Sequence, residues 1–113
     1  MKRIEQVNQL IKKELSQIMI REVEFPVGAM VTVTRVDTSS NLIQSTVYIS
    51  VMPDSEMKET MRRLNGIIYY LQQLLNKRLK MRPIPKIIFK EEKETVRAEE
   101  VEEILEDIKN KKA

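Results

Sequence analysis

The sequence predicts an α+β domain, a three-stranded sheet covered on one face by helices in the order α-β-β-α-α-β, with a further helix at the C-terminus. Three observations predict it. Apolar residues at helical spacing open the chain and return after Pro53; two stretches alternating β-branched with polar side chains, joined by a polar turn, lie between; and Pro83 and Pro85 separate the second helical stretch from a short apolar run, Ile87-Ile88-Phe89. A chain of 113 residues makes one domain, which buries roughly two-thirds of its unfolded surface without covalent staples. Its folded unit is expected over residues 1–91, with 92–113 as an acidic helical tail.

From Arg3 to Ile20, the residues Ile4, Val7, Ile11, Leu15 and Ile18 fall on one helical stripe, and Lys12, Lys13, Glu14 and Gln17 lie mostly off it. Phe25, Pro26 and Gly28 end that pattern. Met30 to Val36 then alternates, Val31 and Val33 against Thr32 and Thr34, which suits a pleated strand. Asp37 to Asn41 is a turn cluster, and Gln44 to Val51 alternates again, so the two strands form a hairpin. Asp54 or Ser55 is placed to cap the next helix. Met57, Met61, Leu64, Ile68, Leu71, Leu75 and Leu79 sustain a helical period from Glu56 to Lys80. An unbroken helix of that length would span about 35 Å, too long for so small a domain, and a helix-interior glycine costs about 1 kcal/mol. Two helices meeting at a kink at Asn65-Gly66 are therefore expected. Lys86 to Lys90 reads as the last strand, with Pro83 and Pro85 at its beginning. Thr95 caps a final helix from Val96 to about Lys109, apolar at Val101, Ile104, Leu105 and Ile108.

Whole classes of function are excluded. With no cysteine and no histidine, the chain cannot build disulfides, cysteine-held metals, His-ligated zinc or a Ser-His triad. Two glycines, Gly28 and Gly66, cannot write a phosphate-cradling loop or a dinucleotide fingerprint. No convergent catalytic set is visible, so no enzyme, cofactor or small-molecule substrate is expected. Glu99 to Glu106 lacks the spacing of a calcium loop and reads as a solvated helix face, and the seven methionines read as packing, Met57 and Met61 on the core stripe. No apolar run approaches a membrane span, and the N-terminus mixes charges where a signal peptide would be apolar, which reads as a cytoplasmic protein.

Charge carries the functional signal. The net charge is only +3, but residues 58–90 hold nine basic side chains against Glu59 alone, and residues 91–107 hold nine acidic against two basic. A cationic block of this density is the footprint of a polyanion site, because unpaired like charges repel until a polyanion neutralises them. The candidate RNA-binding residues are Arg62, Arg63, Lys77, Arg78, Lys80, Arg82 and Lys86. Arg78 projects near the apolar side, so it either snorkels past the core or lies beyond the helix. Arg3, Lys12 and Lys13 either extend this surface or are solvated. Tyr69 either stacks on a splayed base or packs at the helix junction with Tyr70, and packing ranks first. Tyr48 reads as a sheet-face residue.

The element order is that of the bacterial-type KH domain. Most KH domains carry a Gly-x-x-Gly loop that approaches phosphates, but here the text is Leu64-Asn65-Gly66-Ile67-Ile68-Tyr69, so contacts must come from side chains. A KH-like chain without that loop and with a basic second half resembles the ribosome-binding factor A family. The similarity runs through Arg3-Ile4-Glu5-Gln6-Val7 with Ile11, Glu14, Leu15 and Ile18; Val31 to Val36; Ser39-Ser40-Asn41-Leu42 with Thr46 to Ser50; and Leu75 to Arg82 leading to Pro85 and Phe89. It covers about residues 2–108. The chain departs from the family pattern at the kink, where an Ala-x-Gly motif is replaced by Ile67, Ile68 and Tyr69, and at Asn41, Ser45 and Asn76, which stand for the usual Asp, Ala and Gly. The resemblance implies a monomeric, non-enzymatic factor. It binds 16S ribosomal RNA on the free 30S subunit late in maturation, near the neck and the 5′-terminal helix region, assists processing, and leaves before translation. The family is associated with growth in the cold. The rival reading is a protein-protein adaptor that uses the acidic C-terminal helix.

Overall fold

The computed structural model describes residues 2–93. The expected C-terminal helix, Val96 to Lys109, lies outside the described residues, as does the acidic surface assigned to it. Among the described residues no helix is long and apolar enough to cross a membrane.

Helix α1 runs over Arg3–Glu22 and buries the stripe read from the sequence, Val7, Ile11, Leu15 and Ile18, together with Met19. Strands β1 (Met30–Thr38) and β2 (Gln44–Met52) pair antiparallel. Helices α2 (Met57–Gly66) and α3 (Ile68–Arg78) follow, and β3 (Lys86–Glu91) joins β2 in parallel, so the sheet order is β1-β2-β3. Val47, Ile49 and Val51 of β2 point at the helices and, with Leu64, Leu71, Leu75, Ile87 and Phe89, form the core. The α+β order expected from the pattern is the order observed.

Three local details differ from the sequence reading. The alternation of β1 is interrupted by a bulge between Val33 and Arg35, and the extra residue lets Val33 and Val36 both face the core three positions apart. Neither Asp54 nor Ser55 caps α2; a 3-10 turn over Asp54–Glu56 leads into it without a side-chain cap. The two helices meet near Gly66 as expected, but the break itself falls one residue beyond the Asn65-Gly66 pair, which ends α2, and the non-helical residue is Ile67 (φ −125°, ψ 23°). Helical glycine has no need of its missing Cβ, and at Gly66 an added Cβ would meet nothing within 4 Å. Gly66→Ala is accordingly expected to stabilise the protein by about 0.4–1 kcal/mol in denaturant titration, by restricting the unfolded chain.

The β1-β2 turn is closed by side chains. Ser39 Oγ accepts from the backbone N–H groups of Ile43 and Gln44, and Asn41 Oδ1 accepts from Ser39 Oγ and from Ile43 N–H, which holds Leu42 at φ 63°. Beneath it, the hydroxyls of Thr38 and Ser45 pair at 2.6 Å in the core.

Candidate nucleic-acid interface

The structure sorts the basic block into two kinds of cation. Arg62 and Arg63 both grip Glu59: Arg62 places Nε 3.0 Å from Oε1 and Nη2 2.6 Å from Oε2, and Arg63 Nε donates to Oε2 at 2.7 Å. Arg63 also donates to the Glu24 carbonyl. The hydrogen bonds from Arg62 and then Arg63 hold the Glu59 carboxyl down at about 2, against 4.5 ordinarily. Because the folded value is the lower, this pairing contributes stability above pH 4.5 and loses it as pH falls toward 2. Arg78, the last residue of α3, reaches α1, where Glu14 Oε1 accepts at 2.9 Å and Gln17 Oε1 at 3.0 Å. It therefore pins two helices together instead of projecting outward, so of the seven cations read as RNA-binding, these three arginines are already engaged within the fold.

Lys77, Lys80, Arg82 and Lys86 are different. All four are exposed, and no acidic side chain pairs with any of them among the described residues. Among the described residues Arg82 donates only to the neighbouring Met81 carbonyl. Exposed like charges near one another in the chain repel until counterions or a polyanion neutralise them.

Arg82 and Lys86 rim a groove of about 830 Å³ between α3 and the segment leading into β3. Its floor is apolar, from Ile68, Ile84 and Ile87, with Pro83 at one side and Tyr69, Gln72 and Asn76 along the α3 wall. Tyr69 is not packed at the helix junction, the reading ranked first from the sequence; three-quarters of it (75%) is exposed at the groove wall. The break at Ile67 explains this, because it restarts the helical phase and turns the first residues of α3 outward. Tyr70, which faces α1, donates its hydroxyl to Glu22 at 3.0 Å, and this bond raises its pKa. Lys77 sits on the exposed face of α3, roughly 80° around the helix from Tyr69, and Lys80 lies just past the helix end. Arg3, Lys12 and Lys13 are exposed on α1, and none of them lines the groove. Tyr48 stands on the open face of the sheet with the Arg35 guanidinium 3.8 Å over its ring, and Arg35 Nε donates to Glu92 at 2.8 Å.

Gln72 was missed by the sequence reading. Its Oε1 accepts from Ile87 N–H at 2.8 Å, and its Nε2 donates to the Pro85 carbonyl at 3.2 Å and to Asn76 Oδ1 at 3.1 Å. One amide thus fixes the distance between the two groove walls. The available signal was a polar residue one turn from Ile68, beside the core stripe. Gln72→Ala removes the acceptor of a buried N–H and is expected to cost about 1–3 kcal/mol in urea denaturation.

The model of one protein family, ribosome-binding factor A, matches residues 3–105. The chain belongs to the ribosome-binding factor A family. Members from Halothermothrix orenii and Brevibacillus brevis are 33% and 36% identical to it, over 95% and 94% of this chain and 88% of each relative. The crystal structure of ribosome-binding factor A from Thermus thermophilus superimposes with a TM-score of 0.67 at 22% identity, covering 80% of this chain and 97% of that one, which establishes the shared fold. A homology model of the Thermus thermophilus factor, fitted into the cryo-EM map of a complex of the 30S subunit with ribosome-binding factor A, is similar at a TM-score of 0.62 and 25% identity, over 74% of this chain and 88% of that one. Against the family pattern quoted above, this chain keeps a break between α2 and α3 without the Ala-x-Gly motif, with Ile67 as the non-helical residue.

Proposed function

We propose that the protein is a non-catalytic assembly factor that binds 16S ribosomal RNA on the free 30S subunit and assists its late maturation and processing. The observation that carries this reading is the set of four cations, Lys77, Lys80, Arg82 and Lys86, exposed and without an ion-pair partner among the described residues, around and beside an apolar groove walled by an exposed tyrosine. Guanidinium and ammonium groups hold phosphates, and phosphate contacts position a protein without reading sequence. An exposed aromatic beside them offers an unstacked base a surface worth about 1–3 kcal/mol, whatever its identity. Folded RNA displays both features together in single-stranded junctions and ends. The similar Thermus thermophilus factor, whose homology model is fitted into the map of a complex with the 30S subunit, supports the small subunit as the RNA's setting. The protein acts in the cytoplasm as a monomer, and the need for it is greatest in the cold, when misfolded RNA helices are slow to rearrange.

The test is sedimentation of the protein with free small subunits, free large subunits and assembled ribosomes at two salt concentrations. Association with the free small subunit alone, falling steeply at the higher salt, is expected. Equal association with large subunits, or binding indifferent to salt, overturns the reading.

A further inference from the structure

Among the described residues, four of the large exposed apolar side chains gather in one region, apart from Ile43 (65% exposed) at the other end of β2. Ile20 (81% exposed), Val27 (101%), Met30 (70%) and Met52 (62%) all lie where α1 ends, β1 begins and β2 ends. Met30 and Met52 are direct partners in the β1-β2 register, and Val27 stands in the turn closed by Ala29 N–H on the Pro26 carbonyl, immediately before β1. Ile20 and Phe25 continue the apolar surface around the β1 edge, beside Val31 and Val33, in a shallow hollow. A concentration of this kind on a small domain marks an interaction site.

The carboxylates around it decide what it can meet. Glu24, Asp54 and Glu56 flank Val27, Met30 and Met52 in the chain, outnumber the exposed cations of the same segments, Arg21 and Lys58, and have no ion-pair partner among the described residues. RNA is disfavoured there, since phosphates and carboxylates repel. A second copy is disfavoured too, because a two-fold contact would set the same three carboxylates against themselves. The chain's own residues 94–113 carry seven acids against four bases, a net charge of the same sign as the rim. A basic protein that offers aliphatic side chains among its cations satisfies both the apolar centre and the acidic edge.

Position completes the argument. Lys86 is paired in register with Gln44, at the opposite end of β2 from Met52. Eight residues of strand rise separate the two ends by roughly 26 Å. A molecule held on RNA by its cationic end therefore presents its apolar end, where carboxylates outnumber the exposed cations, to whatever lies beyond. Resting on the function proposed above, we infer that the Val27, Met30 and Met52 patch, edged by Glu24, Asp54 and Glu56, docks on a basic protein of the small ribosomal subunit. Affinity for the particle is then divided between RNA at one end and protein at the other.

Two measurements on the full chain test this. With a photoreactive benzoylphenylalanine in place of Val27, irradiation on purified small subunits is expected to yield a cross-link to a ribosomal protein, identified by mass spectrometry. The triple variant Val27→Ser, Met30→Ser, Met52→Ser is expected to bind small subunits at least tenfold more weakly, roughly the effect of losing one buried apolar side chain. On protein-free 16S rRNA it should bind as the parent does. Cross-links confined to rRNA or to the chain's own residues overturn the inference, as does a triple variant that is unimpaired on subunits or equally impaired on both substrates. A parent protein that fails to bind small subunits at all overturns the proposed function itself, which keeps the two failures distinct.

Discussion

Replacing Lys77, Lys80 and Arg82 together with glutamate is expected to abolish cosedimentation with the free small subunit while leaving the thermal melt and circular dichroism unchanged. The fold should tolerate the change because all three side chains are exposed and none forms an ion pair among the described residues. Binding should not, since each lost phosphate contact removes a counterion-release term and each new carboxylate adds repulsion; the combined loss is expected to exceed about 100-fold near 0.1 M salt. Arg78→Glu supplies the contrast. That substitution sets a carboxylate against Glu14 and removes the bond to Gln17, so its damage should appear in the melt. A folded triple variant that cosediments as well as the parent would show that the site lies elsewhere.

Leu75→Ala is expected to have the largest effect on stability. Leu75 is fully buried in α3, within the core formed by α1, Leu71 and the inward faces of β2 and β3. Truncating such a leucine removes transfer free energy and leaves a cavity that its neighbours close only partly, at a cost of about 2–5 kcal/mol. Against a total stability of about 5–15 kcal/mol, that is a large fraction. Urea denaturation measures it, and a loss below about 1 kcal/mol would contradict the placement of α3 against the sheet.

The elements that could be read in the sequence are those whose burial is repetitive. Val7, Ile11, Leu15 and Ile18 mark one face of α1 by spacing alone, and Val47, Ile49 and Val51 mark one face of β2, because a period of 3.6 or 2 survives any detail of tertiary packing. The details that escaped depend on partners distant in sequence. The bulge before Arg35 adds a residue without changing composition. Local propensity points to Gly66 as the weak position in the helical stretch, yet the break falls at Ile67, where propensity gives no cue.

The site was legible as charge and not as geometry. A density of cations from Arg62 to Lys86 is visible in the text, but whether an arginine meets glutamate or solvent is decided by residues far away: Arg78 finds Glu14 only once α3 lies across α1. Arg62 and Arg63 are the exception, since Glu59 three and four positions earlier on the same helix was available as a partner from spacing alone. Tyr69 could not be assigned to solvent before the position of the break was known, and Gln72 carries no signature beyond its polarity.

The account rests on an electrostatic grip by four side chains, and the most direct measurement of that grip is the equilibrium affinity for purified free small subunits across a series of salt concentrations. With Lys77, Lys80, Arg82 and Lys86 each neutralising a phosphate, the logarithm of affinity should fall linearly with the logarithm of salt at a slope of roughly −3, and the slope should flatten toward zero in the triple glutamate variant. A parent slope near zero, or one that the variant leaves unchanged, would contradict it.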